Sequence, residues 1–287
     1  MGDDLRTNPD AQPSSPSPRI ERLAVNGTTL YCEVRGEGPP VLLVHAGGQD
    51  AEVWRPVAER LSALTVVTYD RRGTLRSGRE DWPGKGSAQH ADDAAALLEA
   101  LGLKEVVVFG ASSGGIPALQ VALRHPRRIR LALVYEPGYF RQMVGAENLQ
   151  LPVNAAVAQH LAEHPDDWIG AYAVFKQAAS PPSGSRPGAL AAPPGKEWYA
   201  RREDLDAEVL VRDDAPILTR ELVDEEALAA AQVDIRFSYG TLSPSVFRDI
   251  VTHLAAVRAQ TPDVLKDVGH LLHYFPDAAA DYIAKWA

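Results

Sequence analysis

From Arg19 onward the chain alternates short apolar runs with longer segments whose apolar residues recur at helical spacing. Residues 20–25 and 29–34 alternate apolar and polar positions about Asn26-Gly27, which predicts a hairpin. Residues 40–45 (PVLLVH), 65–69 (TVVTY) and 105–109 (EVVVF) are continuous apolar runs, as expected of strands buried on both faces. Residues 129–135, 234–239 and 263–268 predict three more strands. Helical spacing predicts helices over 51–64, 88–101, 114–125, 244–257 and 276–287. This alternation predicts an α/β fold: a mainly parallel central sheet, right-handed crossovers and flanking helices.

The rhythm stops between residues 139 and 231. That stretch holds helix-like pieces at 153–164, 167–179 and 214–231 and a Pro/Gly/Ser-rich loop at 180–195. The expected organisation is therefore a core of residues 19–138 and 232–287 carrying an inserted helical cap, 139–231, as a lid. Residues 1–18 contain four prolines, three serines and almost nothing apolar, which predicts a disordered tail.

Composition narrows the function. The chain has 287 residues and a net charge of −9 without a basic run, which argues against nucleic acid as a partner. One cysteine, Cys32, excludes an intramolecular disulfide and a multi-cysteine zinc site. No run of about 18 apolar residues predicts a membrane span. The acidic N-terminus lacks the layout of a signal peptide, and Arg6 stands where a myristoylation signal needs Ser or Thr, so a cytoplasmic protein is expected. No dinucleotide fingerprint, P-loop or metal-spaced cluster occurs, so neither cofactor nor metal is expected.

The strongest chemical signal is Gly110-Ala111-Ser112-Ser113-Gly114, between a predicted strand and a predicted helix. A G-x-S-x-G nucleophile elbow requires that context, because the tight turn lifts the serine hydroxyl off the sheet edge and tolerates only small neighbours. Ser112 is the candidate nucleophile. Ser113 is the rival hydroxyl, better cast as an oxyanion donor through its backbone N–H. A second donor is expected from the small-residue loop His45-Ala46-Gly47-Gly48, at Gly47 or, failing that, Ala46.

With these residues in view, the chain resembles the α/β-hydrolase fold superfamily over residues 20–287. The resemblance is carried by His45-Ala46-Gly47-Gly48, Asp70-Arg71-Arg72-Gly73 with Ser77, the Ser112 elbow, and Val268-Gly269-His270. Leu75 departs from the glycine frequent there. The resemblance implies the order nucleophile, acid, histidine, and His270 stands in the usual place for the base. His273, three residues on, is the rival and is expected to line the pocket or cap the last helix. His253 falls within a predicted helix, and His160 and His164, one turn apart, are expected to be solvated cap residues. The usual acid position, Gly240-Thr241-Leu242-Ser243, has no carboxylate. Some superfamily members place the acid after the preceding core strand, where this chain has Glu136. Asp249 and Asp267 fit worse.

The cap region carries Tyr139, Phe140, Trp168, Tyr172, Phe175, Trp198 and Tyr199 in a chain only 7% aromatic, which favours a bulky, apolar or aromatic substrate. Ala46, Trp198, Tyr139 and His273 are the candidate substrate-binding residues. A narrower resemblance, carried by Ala111-Ser112-Ser113-Gly114-Gly115, Arg128-Ile129-Arg130, Glu136, Trp198 and Pro244-Ser245-Val246-Phe247, is to zearalenone-type macrolactone hydrolases. The expected activity is hydrolysis of a small-molecule carboxylic ester or lactone by a monomer or homodimer. A non-hydrolytic enzyme of the same fold, such as a lyase or polyketide-tailoring catalyst, and a slow-turnover ligand receptor are the competing readings.

Overall fold

The computed structural model describes residues 8–11, 16–143, 147–179 and 195–287, with only the backbone at 147–150. Eight strands, β1 (Arg19–Val25), β2 (Thr28–Arg35), β3 (Pro40–Val44), β4 (Thr65–Tyr69), β5 (Val106–Ala111), β6 (Ile129–Tyr135), β7 (Asp234–Gly240) and β8 (Asp263–Leu265), form one sheet. Their order is β1-β2-β4-β3-β5-β6-β7-β8. The first two pairings, β1 with β2 and β2 with β4, are antiparallel; the rest are parallel. Asn26 and Gly27 both take positive φ at the β1–β2 turn, the backbone that a two-residue hairpin of matching twist requires. β8 ends at Leu265, three residues short of the expected run. Beyond it Asp267 turns into the left-handed region, and the carbonyls of Leu265 and Val268 accept from Thr241 and Leu242.

Helices α1 (Arg55–Arg60) and α10 (Pro276–Trp286) cover one face of the sheet; α2 (Gly86–Ala100), α3 (Gly115–Arg124) and α9 (Ser245–Val257) cover the other. Between β6 and β7 lie α4 (Glu147–Glu163), α5 (Trp168–Ala178), α6 (Glu197–Glu203), α7 (Ala207–Val209) with a π-turn at Leu210–Asp214, and α8 (Glu225–Ala230). They bring a small apolar cluster of their own around Val157, Ala171, Tyr172 and Leu210.

The helix expected over 214–231 is not continuous. Pro216 has no N–H to donate, Glu221 is extended, and a new helix starts at Asp224, whose carboxylate accepts from the Ala227 N–H. The helical turns from Glu197 to Asp214 escape the sequence pattern because their first residues, EWYARREDLD, are too charged to show an apolar stripe. Of the loop expected at 180–195, residues 180–194 lie outside the described residues. Of the tail expected to be disordered, residues 1–7 and 12–15 also lie outside. Residues 8–11 are held on the core instead: Asn8 is buried, and the Asp10 carboxylate accepts from Lys196 Nζ and, at 2.8 Å, from the Tyr199 hydroxyl. A polar tether does there what apolar burial cannot.

Asp206, just after α6, joins this helical layer to the core. Its Oδ1 accepts the Leu75 N–H at 3.1 Å, in the loop where glycine is more frequent, and its Oδ2 has no partner among the described residues. Burial and, secondarily, the Asp50 carboxylate push its pKa up to about 8. The unfolded chain releases this proton near pH 4 while the folded chain keeps it to about pH 8, so stability is lost as pH rises through that window. Asp206→Asn, which keeps an acceptor for Leu75, should raise Tm by roughly 5–10 °C at pH 8.5 and leave it unchanged near pH 4. Thermal melts at the two pH values check this; an equal shift at both would mean that Asp206 is not the titrating group.

Candidate active site

The elbow forms where β5 meets α3. Ser112 sits at φ +54°, a left-handed conformation that a non-glycine residue keeps only when its surroundings enforce it. Enforcement comes from close packing: a side chain at Gly110 would run into the Gly114 carbonyl, and one at Gly114 into the His45 carbonyl. The serine hydroxyl is thereby presented at the carboxyl end of the parallel strands.

Two other loops converge on it. His270 Nε2 lies 2.9 Å from Ser112 Oγ, and His270 Nδ1 lies 2.7 Å from Glu136 Oε2. Glu136 is fully buried and follows β6, and its second oxygen accepts the Gly240 N–H at 2.7 Å. The stretch after β7 that has no carboxylate thus contributes a backbone donor to the acid from the neighbouring strand. Tyr135 donates its hydroxyl to the Gly269 carbonyl at 2.6 Å, tying down the residue before His270. Phe247 of α9 stacks on the imidazole, with centroids 3.7 Å apart and planes 15° from parallel. Hydroxyl, imidazole and carboxylate therefore form one hydrogen-bonded line, in which Nδ1–H is fixed on Glu136 and Nε2 faces Ser112 as an acceptor. Such a line can take a proton from the hydroxyl as it attacks an electrophilic carbon.

The loop after β3 is held just as closely. His45 Nδ1 donates to the Ala46 carbonyl at 2.8 Å and Nε2 accepts the Arg71 N–H at 2.9 Å; burial pushes its pKa well down, so the ring is neutral. The Ala46 N–H donates to Gln49 Oε1 at 3.2 Å, and Gln49 Nε2 lies 3.2 Å from His273 Nδ1. The Gly47 N–H, expected to face an oxyanion, donates to Ser113 Oγ at 2.8 Å. Ser113 in turn donates to the carboxylate of Asp214. Ser113 is therefore directed away from His270. Asp214 also accepts twice from Arg71 Nη2, at 2.9 and 3.0 Å, and both side chains are fully buried. Burial pushes the Asp214 carboxyl up and Arg71 opposes it.

The other expected substrate-binding residues are held by neighbours within the protein. Tyr139 is buried, its hydroxyl between Gln120 and the Ile116 carbonyl. Trp198 is buried edge-on against Tyr199. His273 is packed among Trp54, Tyr199 and Tyr274, with Gln49 Nε2 beside its Nδ1. Residues between β6 and β7 touch the site's loops: Tyr172 over Gly48, Leu210 and Asp214 over Gly47, Thr219 over Gly138, and Arg202, whose Nε donates to Asp50 at 2.9 Å. Of the remaining histidines, His253 pairs with Glu225 and His160 with Asp167, while His164 packs its ring on His160. Among the described residues no group of three His, Cys, Asp or Glu is placed to hold a metal ion. Nor is any described helix long and apolar enough to cross a membrane.

Asp214 and Gln49 escape the sequence reading, and Arg71 and Phe247 enter it only as parts of motifs, with no role at the site. The one signal available for Asp214 was a pair of carboxylates, Asp213-Asp214, set in an otherwise apolar run, VLVRDDAPIL. Asp213 docks in the same way, accepting from Trp82 Nε1 at 3.0 Å and lying 2.8 Å from His90 Nε2.

The mainly parallel sheet with this strand order, the G-x-S-x-G turn after β5 and a histidine after the last strand give the chain the α/β-hydrolase fold. The profile of the alpha/beta hydrolase fold family matches residues 39–148. The chain is 41% identical over 127 residues to the uncharacterized hydrolase YraK of Bacillus subtilis, covering 44% of this chain and 47% of that one. It is 35% identical over 150 residues to the putative carbamate hydrolase RutD of Azorhizobium caulinodans, covering 49% and 56%. The matched stretch thus spans about half the length of these curated relatives. Among solved structures, a thermophilic esterase from Thermogutta terrifontis superposes with a TM-score of 0.71 at 21% identity, over 93% of this chain and 97% of that one.

Proposed function

We propose that this chain is a serine hydrolase that cleaves a carboxylic ester or lactone of a bulky, apolar or aromatic substrate through an acyl-enzyme. The observation that carries the reading is the line from Ser112 Oγ through His270 to the buried Glu136, at 2.9 and 2.7 Å. His270 Nε2 takes the Ser112 proton as Oγ attacks the carbonyl carbon, and Glu136 holds the imidazolium through Nδ1–H. The N–H groups of Ser113 and Gly47 bind the oxyanion. The proton on Nε2 passes to the departing alkoxide. Water, deprotonated by the same nitrogen, then releases the acid.

Support for an apolar substrate comes from the cap. Over the loop after β3 it places an aromatic ring, Tyr172 at Gly48, and an aliphatic side chain, Leu210 at Gly47. The chemistry extends to carbamates, whose carbonyl meets the same nucleophile, and the name of the Azorhizobium relative makes them worth including. A panel of p-nitrophenyl acetate, p-nitrophenyl octanoate, a phenyl carbamate and a resorcylic macrolactone tests the substrate class. The octanoate or the macrolactone should exceed the acetate at least tenfold in kcat/KM. Preference for the acetate would overturn the bulky-substrate reading, and hydrolysis of the carbamate alone would replace the ester reading.

A further inference from the structure

In the free protein the amide expected to bind the oxyanion is occupied by the protein's own hydroxyl. The Gly47 N–H donates to Ser113 Oγ at 2.8 Å, and Ser113 is held there by donating to Asp214 of the cap. Gly47 can have no side chain because the Asp214 carboxylate and Leu210 fill the space its Cβ would need. We propose that Ser113 and Asp214 form a cap-borne mask on the oxyanion amide, which the carbonyl oxygen of an arriving substrate must displace. The proposal rests on Ser112 being the nucleophile, as argued above.

Three features make the mask displaceable rather than a fixed part of the fold. Asp214 lies at the end of a π-turn, an irregular backbone that occurs mostly at functional sites. Both of its bonds to Arg71 come from the single nitrogen Nη2, whereas a guanidinium fork would use two, and Arg71 Nε and Nη1 have no partner among the described residues. Rotation about χ1 of Ser113 moves its oxygen off the Gly47 amide without moving any backbone, because the Ser113 N–H is fixed by the elbow itself. Asp214 and Ser113 are thus positioning residues. They keep a buried donor satisfied when no substrate is present, and they couple the seating of the cap to the opening of the oxyanion site.

The same geometry sets the sign of a substitution. Ser113→Ala keeps the backbone N–H, the triad and the Arg71–Asp214 pair, and removes the competing acceptor together with its hydrogen bond to Asp214. A donor no longer pre-engaged should bind a tetrahedral oxygen more tightly, whereas loosened packing would weaken that binding.

The test is the second-order rate of phosphonylation by a fluorophosphonate. In this reaction Ser112 Oγ forms a bond to phosphorus, fluoride leaves, His270 takes the hydroxyl proton, and the phosphoryl oxygen enters the oxyanion site. Ser113→Ala should react about tenfold faster than the wild type. Its affinity for phenylboronic acid should rise by a similar factor, because the boronate adduct places an oxygen in the same site. Asp214→Asn, which keeps shape but weakens the acceptor, should show a smaller gain; it also serves if Ser113→Ala does not fold. Equal or slower phosphonylation of a cooperatively folded Ser113→Ala would overturn the mask and leave the serine-hydrolase reading standing. Absence of any Ser112 adduct in wild type and variants alike would remove both.

Discussion

Ser112→Ala should lower kcat for a p-nitrophenyl ester by about 10⁶-fold, to what an oxyanion site and binding alone provide. Among the described residues no other hydroxyl is hydrogen-bonded to His270. Ser113, the adjacent hydroxyl, is engaged between Gly47 and Asp214 and does not reach His270. The alanine fits the elbow, since the turn demands small residues and already holds a non-glycine residue at φ +54°. The variant should therefore fold with an unchanged Tm, and the loss should lie in kcat. Steady-state kinetics beside a thermal melt check this. A loss below tenfold would move the nucleophile elsewhere.

Glu136→Gln should cost about 10⁴-fold in kcat, more than the loss of one charge would suggest, because the amide is oriented the wrong way. Glu136 Oε1 accepts the buried Gly240 N–H while Oε2 faces His270 Nδ1. In the glutamine the carbonyl oxygen must serve the Gly240 donor, so the NH₂ group points at Nδ1. Nδ1 then has to accept, the imidazole proton moves to Nε2, and the base meets Ser112 as a donor. Glu136→Asp, which keeps the acceptors but shortens the reach, should recover part of the activity. Equal kcat for wild type and Glu136→Gln would remove Glu136 from the catalytic line and return the search to Asp249 or Asp267.

Much of this architecture was legible in the sequence, for identifiable reasons. A strand buried on both faces has to be continuously apolar, so PVLLV, TVVTY and EVVVF could hardly be read otherwise. Ser112 and His270 lie in short motifs whose residue sizes are dictated by a tight turn. Glu136 could be singled out because the stretch after β7 has no carboxylate; the structure pairs it with His270 and adds that the Gly240 N–H donates to its other oxygen.

The rest is long-range. Asp214 meets Ser113 across 101 residues and Arg71 across 143, and no local pattern encodes such a meeting. Aromatic composition singled out Tyr139 and Trp198, and it could not tell that both are buried against neighbouring side chains. His273, three residues beyond the base, turns the other way because the chain coils into a short 3-10 turn at Leu272–Tyr274. There it braces the loop after β3 through Gln49.

In the proposed function Ser112 is activated by His270 and Glu136 to attack an ester-like carbonyl. Intact-protein mass spectrometry after exposure to a fluorophosphonate tests it most directly. A single adduct on the wild type, absent from Ser112→Ala and strongly slowed in Glu136→Gln, is the predicted result. An adduct that persists in Ser112→Ala, or none on folded wild-type protein at any exposure, would contradict the account.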